Sequence, residues 1–73
     1  MTNSPAQIEV TVNGETVQVP KDASVSQLLD QLKLNRRGIA VEINQELEPK
    51  ENHDSRIVQA GDWFEIVTLV GGG

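Results

Sequence analysis

Apolar and polar residues alternate from Gln7 to Val12, with Ile8, Val10 and Val12 on one side and Glu9 and Thr11 on the other, the period of a strand with one buried face. Asn13-Gly14 interrupts the alternation with the dipeptide best suited to a two-residue hairpin, in which both central residues need positive φ. Glu15 to Val19 then resumes it through Val17 and Val19, and Pro20, which has no N–H for a ladder, closes this second strand. The period changes next. Ser24 followed by Gln27 has the form of a capping box, and Val25, Leu28, Leu29 and Leu32 then fall at i, i+3, i+4 and i+7, so one helix with one apolar stripe is predicted. Leu34-Asn35-Arg36-Arg37-Gly38 ends it, with Asn35 or Gly38 available for a left-handed residue near the exit.

Ile39, Val41 and Ile43 alternate with Ala40, Glu42 and Asn44 as a third strand, and Leu47 falls in a short strand or turn. Residues 48–54 form a charged loop; Ser55 to Val58 is a brief strand or turn that buries Ile57 or Val58, and Ala60-Gly61-Asp62 turns the chain into its last strand. That strand departs from simple alternation. Phe64 and Ile66 lie on one face, continued by Thr68 and Val70, but the other face carries Trp63, Val67 and Leu69 around Glu65. One helix covers only one face of a four- or five-stranded sheet, so the set Trp63, Glu65, Val67 and Leu69 is expected to be a docking surface for a partner.

The apolar strand runs without a polar spacer into Gly71-Gly72-Gly73. Three glycines bring no side-chain bulk and span about 10 Å at roughly 3.3–3.6 Å per residue, enough to thread a narrow channel. Residues 7–70 are therefore expected to form one domain, residues 1–6 a disordered lead-in, and residues 71–73 a flexible arm that presents the Gly73 carboxylate.

Composition narrows the function. At 73 residues the chain has room for a single small core, which argues against an enzyme with its own deep pocket. Acidic residues outnumber basic ones 11 to 6, a net charge of −5. The imbalance is one-sided: Glu9, Glu15, Asp22 and Asp30 are matched by Lys21, Lys33, Arg36 and Arg37, whereas Glu42, Glu46, Glu48, Glu51, Asp54, Asp62 and Glu65 face only Lys50 and Arg56. Such a surface repels phosphate backbones and steers toward a basic protein, so nucleic acid is a poor partner. With no cysteine there is no disulfide, thiolate metal site or thiol nucleophile. His53, the one histidine, lies in the charged loop with no second ligand nearby and is expected to be solvated; the Arg36-Arg37 pair is read as a solvated helix end. No apolar run approaches the roughly eighteen residues of a membrane span, and residues 1–5 lack the regions of a signal peptide, so a cytoplasmic protein is expected.

The order strand, hairpin, strand, helix, strand, short strand, strand fits an α+β, ubiquitin-like β-grasp, a mixed four- to five-stranded sheet packed on one main helix. Val12-Asn13-Gly14, Gly38-Ile39-Ala40-Val41-Glu42-Ile43-Asn44, Gly61-Asp62 followed by Glu65-Ile66-Val67, and Val70-Gly71-Gly72-Gly73 together make residues 7–73 resemble the ubiquitin-like sulfur carriers, and among them the ThiS family of thiamine thiazole synthesis. The terminal glycines alone are shared with ubiquitin and the small subunit of molybdopterin synthase; the two strand motifs favour ThiS.

The resemblance implies a carrier that is not itself a catalyst. An E1-like adenylyltransferase using ATP and Mg would adenylate Gly73, sulfur from a persulfide protein would replace AMP to give a thiocarboxylate, and a thiazole synthase would receive the sulfur. Gly73 would be the covalent site, Gly71 and Gly72 the threading arm, and no cofactor or metal would be bound by the carrier. The same tail also suits a carrier for molybdopterin-type or cysteine synthesis, or a ubiquitin-like protein modifier. A nucleic-acid-binding β-grasp module would need a basic face, which this chain lacks.

Overall fold

The computed structural model describes residues 6–69. The strands are β1 (Gln7–Val12), β2 (Glu15–Pro20), β3 (Ile39–Ile43), β4 (Glu46–Leu47) and β5 (Trp63–Thr68), with one helix, α1 (Val25–Gln31), and a single 3₁₀ turn at Lys50–Asn52. They form one mixed sheet in the order β2-β1-β5-β3-β4. β1 runs parallel to β5, and the other neighbours are antiparallel, so the first and last strands meet at the centre of a β-grasp. Of the expected lead-in only Ala6 lies among the described residues, where its carbonyl accepts from Lys21 N–H at 2.9 Å. Val70 and the arm Gly71, Gly72 and Gly73 lie outside them.

Local chemistry accounts for each element. Asn13 and Gly14 take φ of 50° and 87°, the left-handed pair that a tight hairpin needs. β2 runs one residue beyond expectation, with Pro20 opposite Gln7 at the sheet's outer edge, where a missing N–H costs little. At the start of α1 the Ser24 hydroxyl accepts from Gln27 N–H at 3.1 Å, and the Gln27 side chain accepts from Ser24 N–H at 2.8 Å, which completes the capping box.

The helix exit differs from expectation. Neither Asn35 nor Gly38 turns the chain out of α1; Lys33 does, at φ 61°. Its N–H donates to the Asp30 carbonyl at 3.0 Å and Leu34 N–H donates to the Leu29 carbonyl at 3.1 Å, the paired bonds of a Schellman ending. Leu34 packs against the core and so draws the exit one turn earlier than a glycine signal alone suggests. Gly38 is left-handed too, at φ 95°, but it serves the entry to β3.

The core lies between α1 and one face of the sheet. Val10, Val12, Val19, Val41, Ile43, Phe64 and Ile66 point inward against Val25, Leu28 and Leu29, and Val58 closes the open end. Each such side chain contributes about 1.5–3 kcal/mol by leaving water, so this layer holds the fold. Between the two alternatives for the brief strand, Val58 is the buried residue; Ile57 is exposed and bridges to Ser24.

Candidate functional site

β5 lies at the centre of the sheet, so its outward side chains occupy the middle of a face that no helix covers. Trp63, Val67 and Leu69 are 48%, 55% and 58% exposed, and Glu65 stands among them. Register adds neighbours. Ala40 pairs with Val67, Glu42 with Glu65, and Leu47 with Glu42, so all of these side chains share the outer face. Leu47, at 66% exposure, belongs to the same patch, although the local alternation of the sequence does not mark it. Its pairing with Glu42 across the short β3–β4 hairpin was the available signal, but a two-residue strand is too short to declare its own period.

The patch has a definite chemistry. An indole and four aliphatic side chains, Ala40, Leu47, Val67 and Leu69, supply apolar area, while Glu42 and Glu65 stand directly opposite each other on neighbouring strands, a like-charge pair that costs stability. A basic group on a docking partner would relieve that repulsion. Beside Trp63 a pocket of about 430 Å³ is lined by Asn44, Gln45 and the indole itself. Asn44 and Gln45 form the β3–β4 turn with φ of 54° and 73°. The Asn44 carboxamide donates to Asp62 Oδ1 at 3.0 Å and accepts from Trp63 N–H at 3.0 Å, which ties that turn to the start of β5.

β5 leads straight from this patch toward the arm. Leu69 N–H donates to the Gly38 carbonyl at 2.7 Å, so the strand stays fastened on its β3 side to the last described residue. Thr68 continues the inner face as expected, opposite Ile39, but at the rim of the core where it is exposed; the expected continuation at Val70, the expected threading residues Gly71 and Gly72 and the expected covalent site Gly73 lie outside the described residues.

The helix side serves structure. His53, expected in solvent, is only 4% exposed. Its Nε2 lies 2.9 Å from the Glu48 carbonyl oxygen and must donate there, and its backbone carbonyl accepts from Ser26 N–H at 2.9 Å. The ring therefore braces the loop against itself while the His53 backbone ties the loop to the start of α1, and the ring Nδ1 has no partner among the described residues. Glu48, in the same loop, is buried and pairs with Arg56 at 2.5 Å. Loop polarity concealed both residues, because the way the loop folds to set His53 Nε2 on the Glu48 carbonyl and Arg56 on the Glu48 carboxylate is not visible in the local sequence. Arg36 is exposed as expected, but because the chain leaves α1 already at Lys33 it lies beyond the helix end rather than at it, where it reaches Asp30 at 3.8 Å and Asp54 at 3.4 Å. Asp54 accepts from the Ser26 hydroxyl, and that bond, with Arg36 adding to it, holds its carboxyl below the usual carboxylate range. Among the described residues no group of three or more His, Cys, Asp or Glu side chains is placed to hold a metal ion, and no helix is long and apolar enough to cross a membrane.

Residues 5–73 match the model of the ThiS family. The chain is 32% identical over 66 residues to the sulfur carrier protein ThiS of Escherichia coli, covering 90% of this chain and 100% of that one. A thiazole synthase of Paramagnetospirillum magneticum is 36% identical over 66 residues, which are 90% of this chain but 20% of that protein. Among solved structures, the crystal structure of a thiamine biosynthesis protein (ThiS) from Geobacter metallireducens superposes with a TM-score of 0.78 at 33% identity, covering 90% of this chain and 100% of that one.

Proposed function

The chain belongs to the ThiS family, the sulfur carriers of thiamine biosynthesis, and from that premise we propose that it carries its sulfur as a thiocarboxylate on Gly73. The observation that carries this reading is that the family match extends through residue 73 and so includes all three glycines of the arm. A carboxylate is a poor electrophile, because its charge and resonance discourage attack. MgATP on an E1-like adenylyltransferase would convert it to an acyl-adenylate with loss of pyrophosphate. The terminal sulfur of a persulfide then attacks that carbonyl, AMP leaves, and a thiol reduces the resulting acyl disulfide to the thiocarboxylate. The carrier supplies an unhindered acyl group, and the partners supply acid, base and oxyanion stabilisation.

The open face of the sheet supports docking through Trp63, Glu65, Val67 and Leu69, with Leu47 at its edge. An apolar centre with an acidic pair suits a partner surface that is apolar at its middle and basic beside it. The segment of similar sequence within a thiazole synthase supports an enzyme of that kind as the sulfur acceptor.

Intact mass after incubation with the adenylyltransferase, MgATP and a persulfide donor tests the reading. The full chain is expected to exchange one oxygen for sulfur, and a variant ending at Gly71 is expected to stay unchanged. Equal labelling of both would overturn it.

A further inference from the structure

We infer that Asn13, through its side chain, is a positioning residue for the glycine arm, fastening the last part of β5 where β1 no longer reaches it; this rests on the proposed role of the arm. β1 and β5 pair in parallel only at Thr11 with Trp63 and Val12 with Phe64. Thr11 N–H donates to the Asp62 carbonyl and Asn13 N–H to the Phe64 carbonyl, each at 2.9 Å. The next bonds of a parallel ladder would go to both backbone groups of Ile66, but the chain has already turned away at Asn13-Gly14 into β2. The Asn13 carboxamide takes their place. Its Oδ1 accepts from Ile66 N–H at 2.8 Å, and its Nδ2 donates to the Ile66 carbonyl at 3.1 Å.

A primary carboxamide offers the same donor and acceptor as a peptide unit, so Asn13 stands in for one further residue of β1. β5 is thus held on both edges here, by the Asn13 carboxamide at Ile66 on one side and by β3 on the other, where Glu65 and Val67, the residues flanking Ile66, lie opposite Glu42 and Ala40. Three residues later the strand's last described bond is Leu69 N–H to the Gly38 carbonyl. Without the carboxamide, the stretch from Ile66 to Leu69 would hang from β3 alone and fray. The direction in which β5 delivers the arm would then be set loosely. The hairpin dipeptide accordingly does two jobs: its backbone turns the chain, and its side chain aims the far end of it.

Asn13→Gly separates these jobs, because glycine keeps the φ of 50° without strain and removes only the carboxamide. Amide hydrogen exchange should then quicken about tenfold at Ile66 and Leu69 relative to Leu28, whose N–H lies in α1 and reports global opening. Asn13→Asp keeps an acceptor for Ile66 N–H but sets an oxygen against the Ile66 carbonyl, so it should fall between glycine and the wild type. In steady-state assays with the adenylyltransferase, Asn13→Gly should lower kcat about three- to tenfold with KM for the carrier little changed, because the docking face is intact and the arm is misdirected.

Parallel acceleration of Ile66, Leu69 and Leu28 would mean that Asn13 only stabilises the fold, and would overturn the inference. An unchanged kcat beside frayed amides would overturn the positioning role as well. If instead the wild-type chain is never adenylated, the proposed function has failed, and the exchange pattern still decides whether Asn13 fastens the strand.

Discussion

Along β5, Phe64 and Ile66 are buried beneath α1, while Trp63, Val67 and Leu69, one residue out of step, lie half exposed on the opposite face. Both sets are apolar, so hydrophobicity alone does not distinguish them. Coverage does: the inner set meets a helix, and the outer set has nothing above it from this chain among the described residues. A small domain can rarely leave that much apolar area in water without a use for it, and here the open face sits on the strand that leads to the arm. One strand thus holds the fold with one face and leaves an apolar face open with the other, the surface proposed above for docking.

The contrast is broken most strongly from the inside. Phe64→Ala should cost about 3–5 kcal/mol in urea unfolding, a large share of the roughly 4–11 kcal/mol expected for a chain of 73 residues. Trp63→Ala, on the neighbouring residue, should change stability by less than about 1 kcal/mol yet weaken binding to the adenylyltransferase by about 2 kcal/mol, near thirtyfold, when read by calorimetry. Comparable losses of stability in both variants would erase the distinction between the faces.

Glu65→Gln sharpens it with a change of sign. Removing one member of the Glu42–Glu65 pair should raise the unfolding free energy by a few tenths to about 1 kcal/mol, while partner affinity falls and its dependence on salt becomes shallower. A stabilising substitution that weakens binding would identify the charge as retained for docking. The smallest effect belongs to the helix side. Because Asp54 titrates lower in the folded chain than in the unfolded one, its contribution is present above the ordinary carboxylate value and is lost as pH falls through the lowered value. Ser26→Ala removes the main cause, so the Asp54 titration followed by NMR should move upward and the acid limb of stability should lose that component.

Much of this arrangement was legible in the sequence because it depends on local chemistry. Asn13-Gly14 specifies its turn, Ser24 and Gln27 specify the helix start, and the two apolar sets of β5 are visible as a broken alternation. What was hidden depends on contacts that only the folded chain makes. The Asn13 carboxamide bonds to a residue 53 positions away. His53 is buried because Glu48 and Ser26 offer backbone groups that only the folded loop brings near. Lys33 takes the left-handed exit of α1 because Leu34 must reach the core, and a helix-ending rule based on Asn or Gly has no knowledge of that packing. Leu47 joined the patch only through its register with Glu42.

Adding unlabelled adenylyltransferase to isotope-labelled carrier and following every amide by NMR tests the division of labour most directly. Trp63, Glu65, Val67, Leu69 and Leu47 are expected to shift or broaden first, while Ser26, Leu28 and Leu29 in α1 stay in place. Primary perturbation of α1, with the open sheet face unaffected, would contradict it.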